Sequence, residues 1–440
     1  MKLLRSLACA LLALTVSLSA ATPPETTAFV NVTVLPMDAN RTLPDHTVLV
    51  RGDRIIQVGP STDVAVPADV RRIEARGKFL LPGFGEMHGH NPPPGSSPQY
   101  VADTYFLFLA HGVTTVRSML GWPGQLELRE QVKKGELLGP NLYLAGPSFS
   151  GQSTPTPAAA EQRVRQQKAE GWDLLKVHPG VRRESYDAMV ATAREVGISY
   201  AGHIPADVGI LHAIAQGQET VDHLDGYIEY LEGDRGPLDP AKLADVVRRT
   251  REAGIAVVPT MILWETIIGA GDPAAMHAFP ELKYMPPAEV DRWKATYERR
   301  LAAPNFDAAR TRRIADNRKL LLKALRDGGV NILFGTDAPQ QFSVPGFSIH
   351  REVASMAESG LTPYEILHSA TRAVGDHLKA HDTFGTVTAG SRADLILLDG
   401  NPLTDLKALQ QRAGVMIRGR WLSEREIQEG LAEIVARNGR

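Results

Sequence analysis

The sequence predicts an α/β protein: a (β/α)8 TIM barrel with a small β-sandwich domain formed from both chain ends. Three observations point there. Between the ends, about 300 residues alternate short apolar strands with amphipathic helices, in repeats that match an eightfold barrel. β-rich blocks stand near both termini. Histidines, a lysine and an aspartate stand at the ends of several strands, where barrel enzymes place their active sites.

The elements follow in chain order. Lys2 and Arg5 precede an apolar run from Leu7 to Leu18, and Ser19-Ala20-Ala21 fits a small-x-small cleavage site. Residues 1–21 therefore read as a secretory signal peptide, which places the protein in the periplasm or outside the cell. A membrane anchor is the alternative, but the apolar run is short for a span and polar residues follow it. A lipoprotein at Cys9 fits less well, because little apolar sequence precedes it. Cys9 is the only cysteine, so a processed chain has no disulfides or thiolate ligands.

Residues 22–82 are expected to form the N-terminal part of the β domain. Phe29, Val30, Val32 and Val34 form one strand pattern, and Val48, Val50, Ile55, Ile56 and Val58 form others around the Gly52-Asp53 turn. Residues 83–380 form the expected barrel, with strands ending near His88, Arg117, Ala145, Val177, His203, His223, Thr260 and Thr336. Short apolar runs such as 173–177 and 331–336 suit strands buried on both faces. Met189, Val190, Ala193 and Val196 make a helical stripe over 185–196. Asp239 and Pro240 signal the start of a helix over 240–253. Residues 261–330 read as a helical insertion, with Val290, Trp293, Tyr297 and Leu301 at helical spacing. It is expected either to cap the active site or to lie at the surface or an oligomer contact. Residues 381–440 return to β patterns and complete the β domain.

The 440 residues are 43% apolar and 22% charged, with a formal net charge of −2. That balance suits a soluble enzyme and offers no basic surface for nucleic acid or anionic membrane.

His88-Gly89-His90 closes an apolar strand. Residues two apart in a strand share a face, so both imidazoles are expected to point into the barrel mouth as half of a metal site. An HxH pair alone is a weak signal. Lys176 sits in the apolar strand Trp172-Asp173-Leu174-Leu175-Lys176-Val177. Desolvation there lowers its pKa and favours reaction with CO2 to a carbamate; a snorkelling lysine is the alternative. His203 and His223 end two more strands; a lone histidine of this kind is more often a structural hydrogen-bonded residue than a ligand, but two at successive strand ends beside the first pair shift that balance. Asp337 ends the last strand, where a carboxylate can bind metal and accept a proton.

His88-x-His90, Lys176, His203, His223 and Asp337, in that order, resemble the ligand set of the amidohydrolase superfamily with a carbamylated lysine. Gly112-Val113-Thr114-Thr115-Val116-Arg117, Gly335-Thr336-Asp337-Ala338, Leu361-Thr362-Pro363 and Gly390-Ser391-Arg392-Ala393-Asp394-Leu395 resemble its imidazolonepropionase-like and prolidase-like branch. The resemblance implies two divalent ions, usually zinc. His88, His90 and Asp337 would hold the more buried one, His203 and His223 the more exposed one, and carbamylated Lys176 would bridge them. It also implies a hydroxide shared by the metals as nucleophile, with Asp337 and Lys176 essential to catalysis. The deaminase branch resembles His-x-x-Glu after the fifth strand, whereas Ala206 stands three residues beyond His203 here.

His178, Arg117, Tyr227 and Trp264 are weaker candidates for binding substrate. The expected function is hydrolysis of amide bonds in small carboxylate-bearing substrates, such as dipeptides or N-acyl amino acids. Lactones, cyclic amides and organophosphate esters are alternatives on the same metals, and a non-catalytic role is a further one. The expected partners are a small-molecule substrate and other copies of the chain in a homo-oligomer.

Overall fold

The computed structural model describes residues 25–439, so the expected signal segment, 1–21, lies outside the described residues. Five strands open it: β1 (Thr26–Val34), β2 (Leu43–Arg51), β3 (Arg54–Pro60), β4 (Arg71–Glu74) and β5 (Phe79–Pro82). Then come β6 (Phe84–Gly89), β7 (Val113–Ser118), β8 (Asn141–Leu144), β9 (Leu174–Val177), β10 (Ser199–Gly202), β11 (Thr220–Asp222), β12 (Ala256–Val258) and β13 (Asn331–Ile332). The last three are β14 (Leu395–Leu398), β15 (Arg412–Ile417) and β16 (Arg420–Ser423).

Within β6–β8 and within β9–β13, each strand pairs in parallel with its neighbour in sequence, as expected where a helix connects one strand to the next. They fall into a sheet of three, β6-β7-β8, and a sheet of five, β9 to β13, rather than the single closed sheet expected. Backbone contacts cross both gaps. Met87 N donates to Phe334 O at 2.8 Å and Asp337 N to His88 O at 2.7 Å. On the other side Ala145 bridges Leu174 in parallel. Every residue of β6, β7 and β9 is buried, polar ones included.

The helices obey the expected signals. Helix Arg183–Val196 buries Met189, Val190 and Ala193 and stops at Gly197 in left-handed geometry. Helix Pro240–Glu252 is capped by Asp239, whose side chain accepts from the amides of Ala241 and Lys242. Among the described residues, no helix is long and apolar enough to cross a membrane.

The strands from both chain ends form one eight-stranded sheet, in which β14 lies between β15 and β5. Phe29 of β1 and Trp421 of β16 meet edge to face at 5.3 Å, although three strands separate them in the sheet. The sheet therefore curls until its inner face closes over Val32, Val48, Leu395 and Met416. In hydrogen bonding, the expected sandwich is this one curled sheet.

Residues 261–330 are helical: Met261–Ile268, Pro273–His277, Pro287–Leu301 and Ala308–Asp327, with a 3-10 turn at Pro280–Tyr284. Val290, Trp293 and Tyr297 pack with Phe342, Val344 and residues of β15 and the C-terminal helix Glu424–Arg437.

Candidate metal centre

The strand ends deliver the predicted side chains to one place. His88 and His90 lie on one face at the end of β6, with ring centroids 5.4 Å apart. Gly89 between them has no room for a side chain: a Cβ there would stand 2.9 Å from Glu86 Cγ and from Val116 Cγ1. His90 Nε2 lies 2.6 Å from Asp337 Oδ1, and His88 Nε2 lies 3.8 Å from Asp337 Oδ2. The ligand atoms of His88, His90 and Asp337 all fall within 4.8 Å of one another. Lys176 Nζ is 3.2 Å from His88 Nε2. His223 Nε2 is 3.7 Å from Asp337 Oδ2, and the His203 and His223 rings are 4.6 Å apart. The six residues expected to be ligands thus form one cluster.

Local backbone explains how they get there. His223 (φ 63°) and Asp337 (φ 62°) both take left-handed geometry, which turns each side chain as its strand ends. Such geometry is costly for residues other than glycine and tends to occur at functional sites. Gly202 makes room for Lys176, because a Cβ there would meet Val177 O at 2.6 Å and Lys176 Cδ at 3.0 Å.

The site's electrostatics suit cations. Burial holds His88 and His223 well below the usual imidazole range, and holds His203 down at about 3, with Lys176 adding to the effect in each case. These imidazoles are neutral, the form that binds metal. Burial also lowers the Lys176 ammonium, against the pull of Asp222 and Asp337.

Three orienting groups escape the motif reading. His88 Nδ1 lies 2.7 Å from Asp222 Oδ2, His203 Nδ1 lies 2.6 Å from Asp225 Oδ2, and His223 Nδ1 lies 2.6 Å from Thr260 Oγ1. With Nδ1 engaged, each ring has Nε2 available to a metal, the usual arrangement of a metal-binding histidine. The short strand Thr220-Val221-Asp222 gives no apolar run to set Asp222 off, so its burial is seen only in the fold.

The weaker candidates divide. His178 packs against His203 with centroids 5.1 Å apart, and Trp264 packs against His223 at 5.7 Å. Both are half-buried at the edge of the cluster. Arg117, a candidate for the mouth, is buried instead. It is 1% exposed, its Nε donates to Met87 O, and its Nη2 lies 3.4 Å from Asp222 Oδ1. It lies among the strands, beside the carboxylate behind His88. Tyr227 is also fully buried, with its hydroxyl 2.8 Å from Thr250 Oγ1 on helix Pro240–Glu252. That hydroxyl is committed to helix packing.

The sequence profile of the Amidohydrolase family matches residues 79–422. The chain belongs to the amidohydrolase family. It is 22% identical to Adenine deaminase 3 of Rhizobium meliloti (strain 1021) over 404 residues, or 88% of this chain. It spans only about half of that longer relative, 56% of its length. It is also 22% identical to ochratoxinase of Aspergillus niger, over 84% of this chain and 81% of the relative. Among solved structures, a bottromycin amidohydrolase superposes with a TM-score of 0.75 at 24% identity, covering 94% of this chain and 91% of that one. A Xaa-Pro dipeptidase with methionine bound in its active site gives 0.69 at 20% identity, covering 91% and 100%. These likenesses give this amidohydrolase a TIM-barrel-like α/β fold. The His88, His90 and Asp337 group is a possible metal site within it.

Proposed function

We propose that this amidohydrolase uses two divalent ions, zinc by the donor set, to hydrolyse amide bonds in small carboxylate-bearing substrates such as dipeptides or N-acyl amino acids. One observation carries the reading: four imidazoles, Lys176 and Asp337 converge in one cluster, with the Nε2 atoms of His88, His90 and His223 turned inward. That set fits the metals. His88, His90 and Asp337 would hold one ion, His203 and His223 the other, and Lys176, carbamylated by CO2, would bridge them. The eight strands are taken to act as one closed barrel, supported by the hydrogen bonds that cross both gaps.

The ions would polarise the scissile carbonyl and make water a nucleophile at neutral pH. Asp337 then moves the proton. Its Oδ1 is engaged by His90 and by the Gln340 amide, while Oδ2 faces the rings of His88 and His223. Oδ2 accepts a proton from the attacking water and delivers it to the leaving nitrogen as the C–N bond breaks. His178 and Trp264, at the edge of the cluster, are left to contact the rest of the substrate. The peptide-like substrate class draws support from the Xaa-Pro dipeptidase among the structural neighbours. Residues 1–21 are proposed to direct export and to be cut off near Ala21, which mass spectrometry of the natively made protein tests.

Elemental analysis should find about two divalent ions per chain, and Lys176→Ala should lose one ion and most activity. The substrate test is a screen of dipeptides and N-acyl amino acids beside lactones and organophosphate esters. Turnover confined to the latter two overturns the amide reading; a fully active Lys176→Ala protein overturns the bridge.

A further inference from the structure

Behind the candidate metal centre, two buried ionisable side chains grip the backbone on either side of Thr260 from outside. Arg318, on helix Ala308–Asp327, is 3% exposed. Its Nη1 donates to the His223 carbonyl and its Nη2 to the Pro259 carbonyl, the latter at 3.1 Å. Glu352, on helix Ser348–Glu358, is fully buried and accepts from the amides of Met261 at 2.9 Å and Ile262 at 3.0 Å. Between these attachments stands Thr260, a buried β-branched residue in left-handed geometry, φ 41°. Its hydroxyl is the group 2.6 Å from His223 Nδ1.

Each feature alone is expensive. A buried charge is costly even after relaxation. A left-handed β-branched residue adds backbone strain. A neutral pair of side chains would pack the same space without that burden. What the charges accomplish is geometric: Arg318 fixes the peptide before Thr260 and the one after His223, and Glu352 fixes the two amides after Thr260. The hydroxyl that sets the His223 ring is thereby held from both sides. The Arg318 guanidinium also lies over the Trp264 ring, 5.2 Å from its centroid, so the clamp reaches the edge of the site.

We propose that Arg318 and Glu352 are positioning residues that clamp Thr260 and, through it, hold His223 in the orientation the second metal position requires. The inference rests on the two-ion reading above. It predicts a selective defect. Loss of the clamp weakens the ion held by His203 and His223 and leaves the ion held by His88, His90 and Asp337 in place.

The test strips the full-length protein with chelator and titrates it with cobalt(II), following the visible absorption and the bound-metal stoichiometry. Wild type should take up two ions. Arg318→Met should keep the tighter one and bind the second at least about tenfold more weakly, the size usual for loss of a group supporting a metal ligand. Arg318→Lys, which retains donors, should recover part of that loss. Asn317→Ala is the control. Asn317 is the neighbouring buried residue on the same helix and donates to Gly233 O at 2.7 Å and Gly236 O at 2.9 Å, away from the strand end. It should lower stability and leave both cobalt affinities unchanged. Equal second-site affinity in Arg318→Met and wild type overturns the clamp, as does an equal loss in Asn317→Ala. If Arg318→Met does not fold, Glu352→Gln carries the same comparison. Wild type that binds a single cobalt ion overturns the two-ion reading itself, a failure distinct from that of the clamp.

Discussion

Asp222 takes the Nδ1 side of His88, while its other oxygen accepts from Thr220 Oγ1 at 2.6 Å and faces Arg117. This chain of contacts fixes which His88 nitrogen is presented to the cluster. Asp222→Asn removes the charge that Arg117 neutralises and blunts the acceptor that sets the ring. Metal retention should fall about 10–100-fold. Competition with a chelator measures it, and unchanged retention would remove Asp222 from the site. At this scale the sequence was most legible where a polar residue interrupts an apolar strand, since burying one without a partner is costly. His88, Lys176, His223 and Asp337 are visible on that ground. Arg117 is visible too, yet its direction is not. Spacing tells which face of a strand a side chain takes, not whether it bends toward the mouth or back among the strands. Tyr227 was misplaced for a related reason: proximity to His223 in sequence says nothing about the helix its hydroxyl meets.

The helix Pro287–Leu301 shows what element-level patterns can and cannot deliver. Its stripe of Val290, Trp293 and Tyr297 was readable from three- and four-residue steps, and all three are buried. The partners were not readable, because they come from far along the chain. Trp293 and Tyr297 each lie 6.1 Å from the Phe342 ring, and Tyr297 donates to Gly271 O at 2.6 Å. The same cluster takes in Leu107 and Leu109 of helix Pro98–Ala110 and Ile427, Leu431 and Ile434 of the C-terminal helix. This stretch is packed into an apolar cluster that it shares with those elements. Trp293→Ala should therefore cost about 3–5 kcal/mol of stability, as large aromatic deletions in cores do. Denaturant unfolding gives the number. A loss below ~1 kcal/mol, with altered substrate-size preference, would instead favour a mobile cap.

The whole molecule depends on joining its two ends to the strands between them, and Arg392 and Asp394 lie at that junction. Arg392 is 5% exposed; its Nε donates to Asp394 Oδ2 at 2.6 Å, its Nη1 to Asp382 at 2.7 Å and its Nη2 to Thr115 Oγ1 of β7 at 2.9 Å. Asp394 in turn accepts from the Asn141 amide of β8 and from Arg418 N beyond β15. Phe384 covers the guanidinium at 4.3 Å. The tail segment Gly390-Ser391-Arg392-Ala393-Asp394-Leu395 carried a family resemblance in the sequence, and its contacts supply a physical reason. One buried ion pair fastens the curled sheet to two strands of the parallel core. Arg392→Met strips Asp394 of the guanidinium on its Oδ2, while Asp382 keeps Arg54, and removing one partner of a buried pair typically costs about 3–5 kcal/mol. Asp394→Asn should cost a similar amount by stranding Arg392. Because each single change destroys the same interaction, the double variant should be less destabilised than the sum, with a coupling on the order of 1–3 kcal/mol. Equilibrium unfolding of the four proteins measures it. Strict additivity would mean that the two residues act separately, leaving the junction to its other contacts, such as Arg418 with Gly139 O and Asn141 Oδ1.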